Sequence, residues 1–261
     1  MTTEKAKEVL HELARLFENP EKLIGGMVAT FICGGDRPID RWSWGNRLIA
    51  WLHDASDART FNQWKSANRS INKGAHAFNI LAPCTYMATD ADEEGNEVEQ
   101  PKLVGFRAVP VFRIEDTQGE PVQGYEPPTL PPLSGVPAQW NIVVDYQPIP
   151  GETFGIRGSY SPDRKRITLF TENEETFFHE LVHAADDRIA PLHGGQDPDQ
   201  EAVAELGAAV LARLYGGRID RDAWKYISTY HIDPAQAVRR LLSRVESCLT
   251  LILTEAGHST N

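Results

Sequence analysis

His179, Glu180 and His183, within Thr171–Asp187 (TENEETFFHELVHAADD), are the residues of this chain best suited to chemistry. On a helix the two histidines are four apart, so both imidazoles leave one face a turn apart, with Glu180 about 100° round from His179. Rings spaced in this way hold a divalent ion, and a carboxylate beside them can take a proton from a water that the ion has made more acidic. That is the physical content of the His-Glu-x-x-His pattern. Phe177, Phe178, Leu181, Val182 and Ala185 make the rest of the segment apolar, so the helix is expected to be buried. Buried imidazoles beside a buried carboxylate are costly unless something satisfies them.

A catalytic zinc site needs a third protein ligand and an open coordination position. The metzincin extension would require Gly at 186 and His at 189, where this chain has Asp186 and Ile189, so that class is excluded. Two candidates remain. Glu201, on the segment QEAVAELGAAVLARLYGG, would complete a His₂Glu site from a neighbouring helix. Glu205, one turn further, would then accept a hydrogen bond from a ligand imidazole and orient it. The alternative is Asp187, one turn beyond His183 on the same helix. An oxyanion donor is also needed, and Tyr160, His193, Tyr226, Tyr230 and His231 are all of suitable type.

The elements that must position these groups follow from pattern. Thr171 and Glu174 form a possible capping box for a helix over about 173–188, and further helices are expected at 199–215, 220–229 and 234–256. Short strands are expected at 141–146, 155–160 and 166–170, and a substrate strand would pair with the edge near Arg166–Phe170. In the first half, apolar spacing predicts helices over 4–18, 39–54 and 60–69, the last capped by Thr60. The β-rich runs 76–88 and 103–114 flank an acidic segment and read as a hairpin with a long solvated tip. Eight of the 17 prolines fall between 121 and 150. The fold class is therefore α+β in two domains. A helix-plus-hairpin domain covers 1–124, a proline-stiffened linker 125–137, and a zincin-like domain 138–261.

The first half carries its own chemistry. Between positions 37 and 80 there are seven basic and three acidic residues, in a chain whose net charge is −11. Four of the six tryptophans (Trp42, Trp44, Trp51 and Trp64) lie there as well. A basic groove with aromatic faces on which bases stack is what single-strand binders use. The candidate contacts are Trp42, Trp44, Arg47, Arg59, Thr60, Trp64, Lys65, Arg69 and Lys73. Trp51 and Trp64 also suit a core, and of Trp42 and Trp44, two apart, one must point away from whatever the other packs on.

Three scattered cysteines and no Cys-x-x-Cys pair suit a reducing compartment. The opening segment alternates acids and bases, unlike a signal peptide, and the longest apolar run, LIGGMVATFIC, is too short to span a bilayer. The expectation is a cytoplasmic protein without a membrane partner.

Taken together, these stretches resemble the ArdC-type antirestriction proteins. The segments YSPDRKRITLFTENEETFFHELVHAADD and QEAVAELGAAVL are similar to that family's metallopeptidase domain, of the gluzincin kind. WGNRLIAWL, ARTFNQWKSANRSINKGAHAFNILAP and AVPVFRIEDTQGE are similar to its single-stranded-DNA-binding domain. The likeness runs from about residue 37 to 216, with Ala75-His76 standing where a charged Glu-Lys pair is usual. It implies Zn2+ on His179, His183 and Glu201, Glu180 as general base, single-stranded DNA as partner, and an unidentified protein or peptide as substrate. Two other readings fit the same residues. One is a shield that protects incoming strands by occupancy, with an inert metal site; the other is a protease acting on a transcription repressor, with the first domain for docking.

Overall fold

A computed structural model describes residues 2–31, 37–91, 97–122, 130, 132–147, 157–192, 197–217 and 234–258. Its contacts divide the chain into two compact units, 1–15 with 37–123, and 16–36 with 124–261. The division is not a single cut in the sequence: residues 16–36, expected with the first domain, cluster with the second unit. The class is α+β, as the patterning implies.

In the first unit, α1 (Glu4–Leu16) buries Ala6, Val9, Leu10 and Leu13, a helical stripe. The chain then enters α2 (Pro20–Phe31), which belongs to the second unit. Back in the first, a 3-10 turn over Pro38–Arg41 precedes α3 (Trp44–Leu52). The single helix expected at 39–54 is broken because Trp42 and Ser43 take extended backbone angles. β1 (Ala58–Arg59) leads to α4 (Phe61–Ser66), which Thr60 caps by accepting from the Gln63 N–H while the Gln63 side chain returns to the Thr60 N–H.

β2 (Arg69–Ile71) pairs with β5 (Thr117–Gly119), and β3 (Phe78–Ala91) with β4 (Glu97–Arg113), all antiparallel. β1 joins β4 to give the order β1-β4-β3. Among the described side chains of the long hairpin the buried ones lie at its base: Phe78, Ile80, Leu81 and Val111 are buried, while Tyr86, Met87, Leu103 and Val104 are exposed. A bulge falls between Cys84 and Thr85, where the pairing steps from Gly105 to Leu103. Asn46 fixes α3 to the sheet, its buried side-chain amide donating to the Leu81 carbonyl and accepting from the Leu81 N–H, each at 2.8 Å.

The second unit sets helices beside a small mixed sheet. α5 (Val136–Gln139) lies partly in the stretch expected as linker. β6 (Val143–Tyr146) runs parallel to β8 (Arg166–Leu169), and β7 (Gly158–Ser161) antiparallel to it, giving the order β6-β8-β7. α6 (Glu174–Ile189) and α7 (Pro198–Leu214) pack on each other and on α8 (Pro234–Glu255), while α2 buries Leu23, Ile24 and Met27 and packs on α7. Gly207 makes the α6–α7 approach close, since a Cβ there would lie 2.9 Å from a Val182 methyl. The helix expected at 220–229 lies outside the described residues. No described helix is long and apolar enough to cross a membrane.

Candidate metal centre

α6 begins two positions later than a Thr171–Glu174 box would place it. Asn173 is the cap, its side chain accepting from the Glu175 N–H at 2.9 Å, and Thr171 instead accepts from the Asn173 N–H. The helix presents His179 and His183 with their Nε2 atoms 3.1 Å apart and their rings inclined at 76°. α7 brings Glu201 to the same point: one carboxylate oxygen is 3.6 Å from His179 Nε2, the other 3.7 Å from His183 Nε2. Glu205 lies on the opposite side of the first ring, 3.6 Å from His179 Nδ1.

These distances test whether a metal fits. Ligand atoms held about 2.0–2.1 Å from a tetrahedral ion lie roughly 3.4 Å from one another. The separations found bracket that value, and the donor atoms of His179, His183 and Glu201 all lie within 4.8 Å of one another. The set fits a divalent ion, and the spacing alone does not choose zinc over a slightly larger metal.

Electrostatics agree. Interaction with His179, then His183, holds the Glu201 carboxyl far below its usual range despite partial burial. Burial opposes charge on His179, but Glu201, Glu205 and Glu180 together raise it above an ordinary imidazole. Glu180 is 5% exposed, and burial pushes its carboxyl up against the lowering effect of both histidines. β7 holds that carboxylate in place. The Tyr160 backbone N–H donates to it, and a Cβ on Gly158 would come within 2.9 Å of its Oε1.

Asp187 is occupied elsewhere. One oxygen accepts from the Tyr160 hydroxyl at 3.0 Å and the other from the Leu192 N–H at 3.1 Å. Among the described residues it is not part of the cluster. The same bond engages Tyr160; His193, Tyr226, Tyr230 and His231 lie outside the described residues. Asp186, which nothing in the sequence singled out, is fully buried and pairs with Arg244 of α8.

The expected DNA contacts divide sharply. Trp44 and Trp64 are 1% and 0% exposed, so neither offers a face to a base. Trp64 packs in the core and donates its indole N–H to the Phe112 carbonyl. Arg47 is buried too. Thr60 serves its helix cap, Arg59 pairs with Asp57 at 2.8 Å and covers the Trp64 ring, and Arg69 donates to Thr117. Trp42 is half-buried, while Lys65 and Lys73 are exposed. Phe61, an aromatic 58% exposed and four residues before Lys65 on α4, is a candidate contact beyond those expected from the sequence. Its position directly after the Thr60 cap was the available signal.

No protein-family model and no curated protein sequence matches the chain. Solved structures do. The metal-free crystal structure of the antirestriction protein ArdC from plasmid R388 aligns with a TM-score of 0.54 at 17% identity, over 82% of this chain and 84% of that one. Its Mn(II)-bound form aligns over the same shares with a TM-score of 0.55 and 17% identity. The chain has the ArdC fold. Identity this low establishes shared architecture only.

Proposed function

We propose that the chain is a zinc-dependent peptidase with a single-strand-binding first unit, serving an antirestriction role of the ArdC kind. The observation that carries the reading is the convergence of His179, His183 and Glu201 with the buried Glu180 beside them. A divalent ion held there would supply Lewis acidity and a more acidic water. Glu180 takes the proton from the attacking water and delivers it to the departing amine as the C–N bond breaks, a role that suits a carboxyl whose basicity is raised by burial. Glu205 orients the His179 ring.

The substrate edge differs from the sequence expectation. β8, which covers most of Arg166–Phe170, is the central strand and is hydrogen-bonded on both sides. Among the described strands β7 is at the edge and lies against Glu180, so a peptide added to the sheet next to the catalytic carboxylate would pair with Gly158–Ser161. On the first unit, Phe61, Lys65, Lys73 and Trp42 are the side chains that suit a strand, with stacking on the aromatics and phosphate on the lysines.

The test is Glu180→Gln. One metal ion per chain and unchanged strand binding, with proteolysis of an unfolded protein abolished, is the expected result. Undiminished protection of DNA by this variant in a restriction assay would favour a shield acting by occupancy, and undiminished proteolysis would refute the role given to Glu180.

A further inference from the structure

The first unit contains a cleft of about 550 Å³ that no part of the metal chemistry uses. That volume falls in the range of about 300–1,000 Å³ that takes small organic ligands. Its walls come from α1, the residue after α3, and the segment entering β3. The central feature is His53. Its ring stacks on Phe78, with centroids 4.5 Å apart and planes within 13°, and its Nε2 lies 3.2 Å from Glu12. The Arg113 guanidinium, fixed by two bonds to Asp116, also donates to the His53 carbonyl at 3.2 Å.

The ring is therefore held at two points and the backbone that carries it at a third, yet the side chain remains 36% exposed. Phe78 covers one face, so the exposure belongs to the opposite face and the edge. A flat, pre-oriented aromatic surface in a cleft is a platform for another flat ring. The polar groups around it are selective. Glu8 and Glu12 bring carboxylates, Asn79 an amide, and Lys5 and His76 nitrogen groups at other points of the wall, while Asp116 is consumed by Arg113. Carboxylates repel phosphate and accept from N–H donors. The exposed Lys73, by contrast, directly precedes the cleft residue Gly74, where a backbone phosphate would pass.

We infer that this cleft receives one unstacked nucleobase bearing an exocyclic amine, laid on His53 with its amino edge towards Glu8 and Glu12. The inference rests on the single-strand reading of this unit and adds to it a base-selective subsite. Thymine fits poorly, because its carbonyl oxygens would face the same carboxylates. The base would come from a DNA strand, and free nucleosides share the chemistry.

Fluorescence anisotropy on the full chain with oligo-dA, oligo-dC and oligo-dT of equal length distinguishes the outcomes. Oligo-dA and oligo-dC bind more tightly than oligo-dT. His53→Ala weakens oligo-dA binding by about fivefold or more, the lower end of the loss of one base–aromatic stack. His53→Phe retains the affinity, and Glu12→Gln, at a half-buried position, removes the preference over oligo-dT and serves if His53→Ala does not fold. Adenosine alone is titrated in parallel by NMR, read at the Ala75 and Ala77 amides. If no oligonucleotide binds but adenosine shifts those amides, the base subsite stands with a free nucleoside as its source and the single-strand reading fails. If strands bind with the same affinity and base order in every variant, the subsite is refuted while strand binding survives.

Discussion

Replacing Gly158 by Ala tests how firmly β7 fixes the proposed general base. A Cβ built on Gly158 lies 2.8 Å from a Thr176 methyl, 2.9 Å from Glu180 Oε1 and 3.1 Å from Glu180 Cγ. Thr176 and Glu180 are 8% and 5% exposed, so neither side chain can swing into solvent. The added methyl must push β7 off α6 or displace the carboxylate. Overpacking of this kind costs about 1–3 kcal/mol, and each kcal/mol lowers the melting temperature of a unit this size by roughly 2–4 °C. Displacing a catalytic group by about 1 Å lowers turnover on the order of a hundredfold. The atoms nearest that Cβ belong to Thr176 and Glu180, not to His179, His183 or Glu201, so metal stoichiometry should stay the same. Calorimetry, metal analysis and hydrolysis of an unfolded protein substrate measure the three effects separately. A Gly158→Ala protein as stable and as active as the parent would show that β7 does not hold Glu180.

Three further outcomes are expected. Without metal, charged His179 beside Glu201 contributes stability that is fully present below the unfolded imidazole value of 6.5 and is lost as pH rises through its raised folded value; thermal melts in a chelator should therefore decline above that pH. Zinc should reverse the trend, because the ion binds neutral rings and its affinity rises with pH. Arg244→Met should leave the fully buried Asp186 without its partner and cost about 3 kcal/mol in urea unfolding, the low end for a buried pair because Arg244 is one-third exposed. Phe61→Ala should weaken single-strand binding by about 1–3 kcal/mol with an unchanged salt slope, whereas Lys65→Ala should reduce the slope itself.

What the sequence disclosed followed from signals that are local. α6 and α7 carry apolar stripes, caps and i,i+4 chemistry within single helices, so His179, His183 and Glu201 stand out as candidates in the sequence, while the choice of Glu201 over Asp187 depends on how the helices pack. α2 was missed because its apolar run contains Gly25 and Gly26 and shows little polar contrast around the helix. Strand order is a long-range property. Nothing in Arg166–Leu169 reveals that it is paired on both sides, so the free edge was placed one strand away from β7. The tryptophans show the same limit: composition marks an aromatic cluster, but only packing decides that Trp44 and Trp64 are core while Phe61 faces solvent. Asp187 was set aside as a ligand by a partner 27 positions back in the chain, the Tyr160 hydroxyl.

The most direct test of the account is X-ray absorption spectroscopy on zinc-loaded protein, with His183→Ala and Glu201→Gln alongside. The account predicts one zinc per chain with two imidazole nitrogens at about 2.0–2.1 Å and carboxylate oxygen in the same shell, loss of binding in His183→Ala, and weakened binding in Glu201→Gln. Zinc that binds equally well to His183→Ala, or a spectrum without imidazole in the inner shell, would contradict it.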